Sequence, residues 1–95
     1  MAVGLIIGIP WFKRKDWVAL KAIFADAHAL HDTYEEWRSS VRKVEHRMRE
    51  EGHLIERIDL EPESFVQWCA LRGLRTDAKA RASFASEKAR ERHPD

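Results

Sequence analysis

Val3-Gly4-Leu5-Ile6-Ile7-Gly8-Ile9-Pro10 is the stretch on which the architecture of this chain turns. Its side chains are almost all apolar and include three isoleucines, Gly4 and Gly8 oppose a helix, and Pro10 closes the run. It predicts a buried β-strand over Val3 to Ile9. Outward from it the period changes at once. From Asp16, the residues Trp17, Leu20, Phe24 and Ala27 recur at helical spacing, with Ile23 widening the stripe and Asp16 at the N-cap position. That predicts a first helix ending between Asp26 and Leu30.

Thr33-Tyr34-Glu35-Glu36 spells a capping box, and Gly52 supplies the matching stop, so a second helix is expected from Thr33 to Glu51. Tyr34, Trp37, Val41, Val44 and Met48 form a narrow apolar seam along it, wide enough for one neighbour. His53 to Leu60 alternates imperfectly and reads as a half-buried strand with its register open. Pro62 then suits a first helical turn, and Phe65, Trp68, Cys69 and Arg72 share one face of a third helix that stops at Gly73. Thr76 or Asp77 caps a fourth, whose Ala78, Ala82, Ala85 and Ala89 form a small-residue stripe that would admit another helix closely.

The order strand-helix-helix-strand-helix-helix predicts an α+β class with two short parallel strands, because strands separated by two helices cannot form a tight hairpin. Residues 1–92 read as one domain and 93–95 as a flexible tail. Asp16-Trp17-Val18 opens the first helix much as Ser64-Phe65-Val66 opens the third, a pseudo-repeat of the two halves. A two-stranded sheet is marginal alone. A homodimer is therefore expected, joined through sheet edges or through the Tyr34 to Met48 seams.

At 95 residues the chain can bury roughly 60–65% of its unfolded surface, enough for one core. Seventeen basic and sixteen acidic residues leave a net charge of +1, which excludes a strongly basic nucleic-acid binder and leaves only local patches. The single cysteine, Cys69, cannot form an internal disulfide, and no stretch approaches the roughly 20 apolar residues of a membrane span. Met1 to Ile9 lacks the basic start and cleavage site of an export signal. A cytoplasmic protein without membrane partners is expected.

Ile9-Pro10-Trp11, Thr33-Tyr34-Glu35-Glu36-Trp37, and then Phe65, Trp68-Cys69, Gly73, Asp77, Ala80-Arg81 and Phe84-Ala85 resemble the pattern of a family of short bacterial proteins to which no activity is attached. The resemblance spans nearly the whole chain and implies a bacterial, cytosolic setting.

Several clusters bear on chemistry. Trp11-Phe12-Lys13-Arg14-Lys15 mixes aromatic surface with cations before a helix start, where an anion would be welcome, so Trp11, Lys13, Arg14 and Lys15 are the candidate anion or nucleic-acid contacts. Arg72, Arg75, Lys79 and Arg81 could extend that surface. His28 and His31, with Asp26 and Asp32 nearby, are the only candidate metal ligands, and no metal or other cofactor is expected. Asp59, Glu61 and Glu63 sit where carboxylates favour a helix start, and Cys69 has no histidine in sequence to activate it. No phosphate loop, nucleophile elbow or zinc pattern is present. The leading expectation is a non-enzymatic module that self-associates and binds an unknown protein partner, with tryptophans as anchors. A nucleic-acid-binding accessory protein is second, and a small-molecule or metal-dependent enzyme third.

Overall fold

The computed structural model describes residues 5–93. Strand β1 (Ile6–Trp11) leads through a 3₁₀ turn (Arg14–Asp16) into α1 (Trp17–Ile23), and a second 3₁₀ turn (Ala27–Ala29) precedes the long helix α2 (Tyr34–Glu50). Strand β2 (Leu54–Asp59) is followed by α3 (Pro62–Arg72) and α4 (Ala78–Arg92). The strands pair in parallel, Ile6 beside Leu54 and Trp11 beside Asp59. The fold is α+β in the expected order.

The pairing offset is 48 residues (54 minus 6, 59 minus 11), the same offset that relates Asp16-Trp17-Val18 to Ser64-Phe65-Val66 (64 minus 16). Each strand enters its helix at the same register. Phe12 and Leu60 are buried just beyond the paired ends, then Trp17 at the first residue of α1 and Phe65 one turn into α3. The pseudo-repeat is thus carried by the strand-to-helix halves.

Helix α4 covers one face of the sheet at close range. A Cβ on Gly8 would lie 2.4 Å from the carbonyl oxygen of Ala85 and 2.9 Å from Cβ of Ala89, so only glycine admits the helix here. The alanine stripe therefore receives a strand, not a helix as expected, and only its Ala85 and Ala89 are buried while Ala78 and Ala82 face outward. On the other face lies α2, with Trp37 edge-on to Trp11 (5.1 Å between centroids) and stacked on Phe12 (4.5 Å). Phe24 against Phe65 and Phe65 against Phe84 carry the aromatic core into the second half.

Local signals explain most boundaries. Thr33 accepts from the Glu36 amide while the Glu36 side chain accepts from the Thr33 amide, closing the expected capping box. Asp77 caps α4 by accepting from Ala80, and Gly73 ends α3 in the left-handed region at φ 65°. Glu61 caps α3, accepting from the amides of Glu63 and Ser64.

Three boundaries differ. β1 runs through Pro10 to Trp11, while Val3 and Gly4 lie outside the described residues. α1 stops at Ile23 because Thr76 takes its end: the Thr76 hydroxyl donates to the Ile23 carbonyl (2.6 Å), and the Ala25 amide donates to the Thr76 carbonyl (2.9 Å). Asp16 closes a 3₁₀ turn and makes no side-chain cap. Of the expected flexible tail, His93 lies against Glu56 (3.1 Å), and Pro94 and Asp95 are outside the described residues.

Candidate functional site

A two-stranded sheet has two outer edges, and backbone parity assigns which groups they present. The amides of Leu54 and Leu60 donate to the carbonyls of Leu5 and Trp11 (2.9 and 3.0 Å). In a parallel ladder alternate residues point their N–H and C=O the same way, so the odd residues of β1 bond β2, while Ile6, Gly8 and Pro10 point outward. Pro10 therefore stands where no N–H is needed, which is why the strand passes through it. On β2 the outward residues are Ile55, Arg57 and Asp59.

The two edges are treated oppositely. β2 is guarded by charge: Arg92 reaches the Arg57 carbonyl (3.4 Å) and the Glu56 carboxylate (2.7 Å), and Lys13 stands 3.5 Å from Asp59. Charged side chains on an edge strand block further pairing. β1 carries no charged residue from Ile6 to Trp11. Among the described residues no side chain or backbone group hydrogen-bonds the outward groups of Ile6, Gly8 or Pro10. Beside this edge a groove of about 320 Å³ runs between β1 and the Ser86, Ala89 and Arg90 side of α4. Leu5 (62% exposed), Ile6 (43%) and Leu54 (64%) leave apolar surface at its open end.

The α2-facing side of β2 holds an ion pair that sequence reasoning missed. Glu45, 1% exposed, accepts two hydrogen bonds from Arg57 (2.8 Å each), whose guanidinium lies 3.8 Å from the centroid of the Trp11 ring. The hydrogen bonds from Arg57 hold the Glu45 carboxyl below the ordinary 4.5, against the opposing effect of burial. Glu45 follows Val44 on the seam side of α2, and a carboxylate one place off an apolar stripe was the only sign of it. A second such pair joins Arg81 to Asp26 (2.7 and 2.9 Å) and holds Asp26 below its ordinary 3.8.

These pairs decide the fate of the predicted sites. Trp11 is half-buried beneath Arg57, Lys13 faces Asp59, and Arg14 pairs with Glu35 and lies over the Tyr34 ring. Carboxylates of the chain itself thus neutralise two of the three cations at this helix start, and only Lys15 stands exposed without an ion pair among the described residues. Arg72 pairs with Glu87 and Arg81 is buried on Asp26, leaving Arg75 and Lys79 exposed; the four do not form one open surface.

The self-association seam is largely spent inside the chain. Tyr34 and Trp37 are buried against Phe12 and Trp17, with the Tyr34 hydroxyl donating to the Phe12 carbonyl (2.9 Å). Val41, Val44 and Met48 are half-buried. Trp17, Trp37 and Trp68 are buried, so of the four tryptophans expected to supply anchors only Trp11 keeps partial exposure, beneath Arg57.

His28 and His31 are exposed in the connector, and their neighbour Asp26 is committed to Arg81. No group of three His, Cys, Asp or Glu side chains that could hold a metal occurs among the described residues. Glu61 is occupied as a helix cap and Asp59 by Lys13. Cys69 is buried, and burial together with Asp77 raises its thiol pKa, which disfavours the thiolate. No helix of the described residues is long and apolar enough to cross a membrane. Comparison with protein-family models, curated proteins and solved structures returns no match.

Proposed function

We propose that the protein is a small non-enzymatic interaction module of the bacterial cytosol that self-associates by joining a second copy along the outer edge of β1. The observation that carries this reading is the contrast between a β2 edge closed by charge and a β1 edge that is apolar and unpaired. Parallel sheets are normally covered, and an uncharged open edge is a template for pairing. A two-fold axis at Gly8 would set the two copies of β1 antiparallel, with the Gly8 residues exchanging both backbone hydrogen bonds. Ile6 would donate to the carbonyl of Pro10 in the second copy, and the missing Pro10 N–H would cost one bond at each end. The product is a four-stranded sheet in the order β2-β1-β1-β2, with exposed Leu5 and Ile6 moved toward apolar surface. A lone buried thiol suits a reducing compartment.

Light scattering across a wide concentration range tests the reading. The expected result is a mass rising from one chain to two, with Ile6→Lys confined to one chain because it puts charge on the edge. Val18→Lys, on an 80% exposed residue of α1, should dimerise normally. A wild-type mass of one chain at every concentration, or equal loss in both variants, would exclude the β1 edge.

A further inference from the structure

We propose that the exposed face of α2 docks the phosphate backbone of a nucleic-acid duplex, a contact separate from the β1 edge. Arg38, Arg42, Lys43 and His46 line one open groove of about 510 Å³ with Arg14 and Glu35. Glu35 is the only acid among them, and Arg14 already pairs with it. Elsewhere Lys13, Arg57, Arg72, Arg81 and Arg92 each meet a carboxylate. Among the described residues Arg38, Arg42 and Lys43 meet none, although the chain as a whole is nearly neutral at +1. Arg47 and Arg49 of the same helix meet none either, so among the described residues α2 carries five unmatched cations, more than any other element, while Lys15, Lys21, Arg75, Lys79 and Arg90 are scattered over the rest of the chain.

Its spacing suits an extended anion. Arg38 and Arg42 fall four residues apart, so these two cations, with Lys43 next to the second, run along one side of α2 for about 6 Å at the helical rise, and His46, 3.6 Å from Glu50, closes the groove one turn further on. Like charges at this spacing repel within the helix, and a polyanion relieves them. Arginine forks match phosphate oxygens in pairs. Two rival surfaces fit less well. Eight of the nine aromatic residues are buried and Trp11 lies under Arg57, so no stacking platform for single-stranded bases stands open. The large exposed apolar side chains lie on β1, β2, α1, α3 and the segments flanking them, none on α2, so nothing beside the groove would enter a membrane.

Anisotropy of a labelled random-sequence DNA duplex, titrated with the full chain at low and physiological salt, tests the proposal. Saturable binding that weakens with salt is expected, and Arg38→Glu with Arg42→Glu should lower affinity about tenfold or more through lost phosphate contacts. Arg75→Glu with Lys79→Glu changes the net charge equally and should bind as the wild type does. Arg38→Gln with Arg42→Gln, which relieves repulsion in the helix, guards against misfolding and should also weaken binding. No binding at low salt, equal loss from both charge-reversed pairs, or binding to anionic lipid vesicles without binding to duplex would overturn the proposal.

Discussion

Gly8 lies so close to Ala85 that a single added methyl would enter the helix backbone, at 2.4 Å from its carbonyl oxygen and 2.9 Å from its carbonyl carbon. The obstacle is main chain of α4, which cannot swing aside as a side-chain tip can. Gly8→Ala must shift the helix or bend the strand, and overpacking of this kind costs about 1–3 kcal/mol. A urea unfolding curve should show the midpoint fall by that equivalent. An unchanged midpoint would mean that α4 does not sit on β1 at this distance.

Arg57 is the partner that makes burial of Glu45 tolerable. Arg57→Met should cost about 2–3 kcal/mol, below the roughly 3–5 kcal/mol for breaking a fully buried pair, because the Arg57 side chain keeps 43% of its surface exposed and solvent screens it. Adding Glu45→Leu should recover most of that loss, since two apolar residues leave no orphaned charge. Chemical denaturation of the single and double variants distinguishes this from simple loss of packing on Trp11, which the second substitution would not repair.

The same pair gives an acid response of definite sign. Glu45 and Asp26 titrate below their ordinary values of 4.5 and 3.8 in the folded chain, so the unfolded chain takes up protons first as pH falls. Their contribution is fully present above about pH 4.5 and is lost as pH drops through the lower folded values. The thermal midpoint should therefore fall steeply below about pH 4.5, and less steeply in Arg57→Met, where Glu45 no longer has its cation. An acid limb of the same slope in both proteins would remove Glu45 from this role.

Thr76 ties two distant segments together, with its hydroxyl on the Ile23 carbonyl and its own carbonyl taking the Ala25 amide. Thr76→Val keeps the shape and deletes the hydroxyl, so it should cost about 1–2 kcal/mol for the lost hydrogen bonding. Proteolysis should then cut sooner within the connector that holds His28 and His31. Unchanged cleavage would mean that Arg81 on Asp26 pins the connector unaided.

The local features of this fold were legible in the sequence because their causes are local. Thr33 with Glu36, Gly73 after Arg72, and Pro62 at a first turn each act within a few residues, whereas the register of the sheet stayed open until the strands paired at the 48-residue offset of the Trp17 and Phe65 repeat. What stayed hidden depends on partners far apart. Thr76 ends α1 from 53 positions away, and Arg81 takes Asp26 from 55, so neither the early helix stop nor the commitment of Asp26 to an ion pair could be read beforehand. Pro10 looked like a terminator because its neighbour on the outer edge, or the absence of one, is a property of the assembled sheet.

Amide hydrogen exchange resolved by residue and repeated across a range of protein concentrations tests the central claim most directly. If two copies join at β1, the outward amides of Ile6 and Gly8 become protected as concentration rises, while those of Arg57 and Asp59 on the guarded β2 edge do not change. Fast exchange at Gly8 at every concentration, or protection appearing at Arg57 instead, would contradict the account.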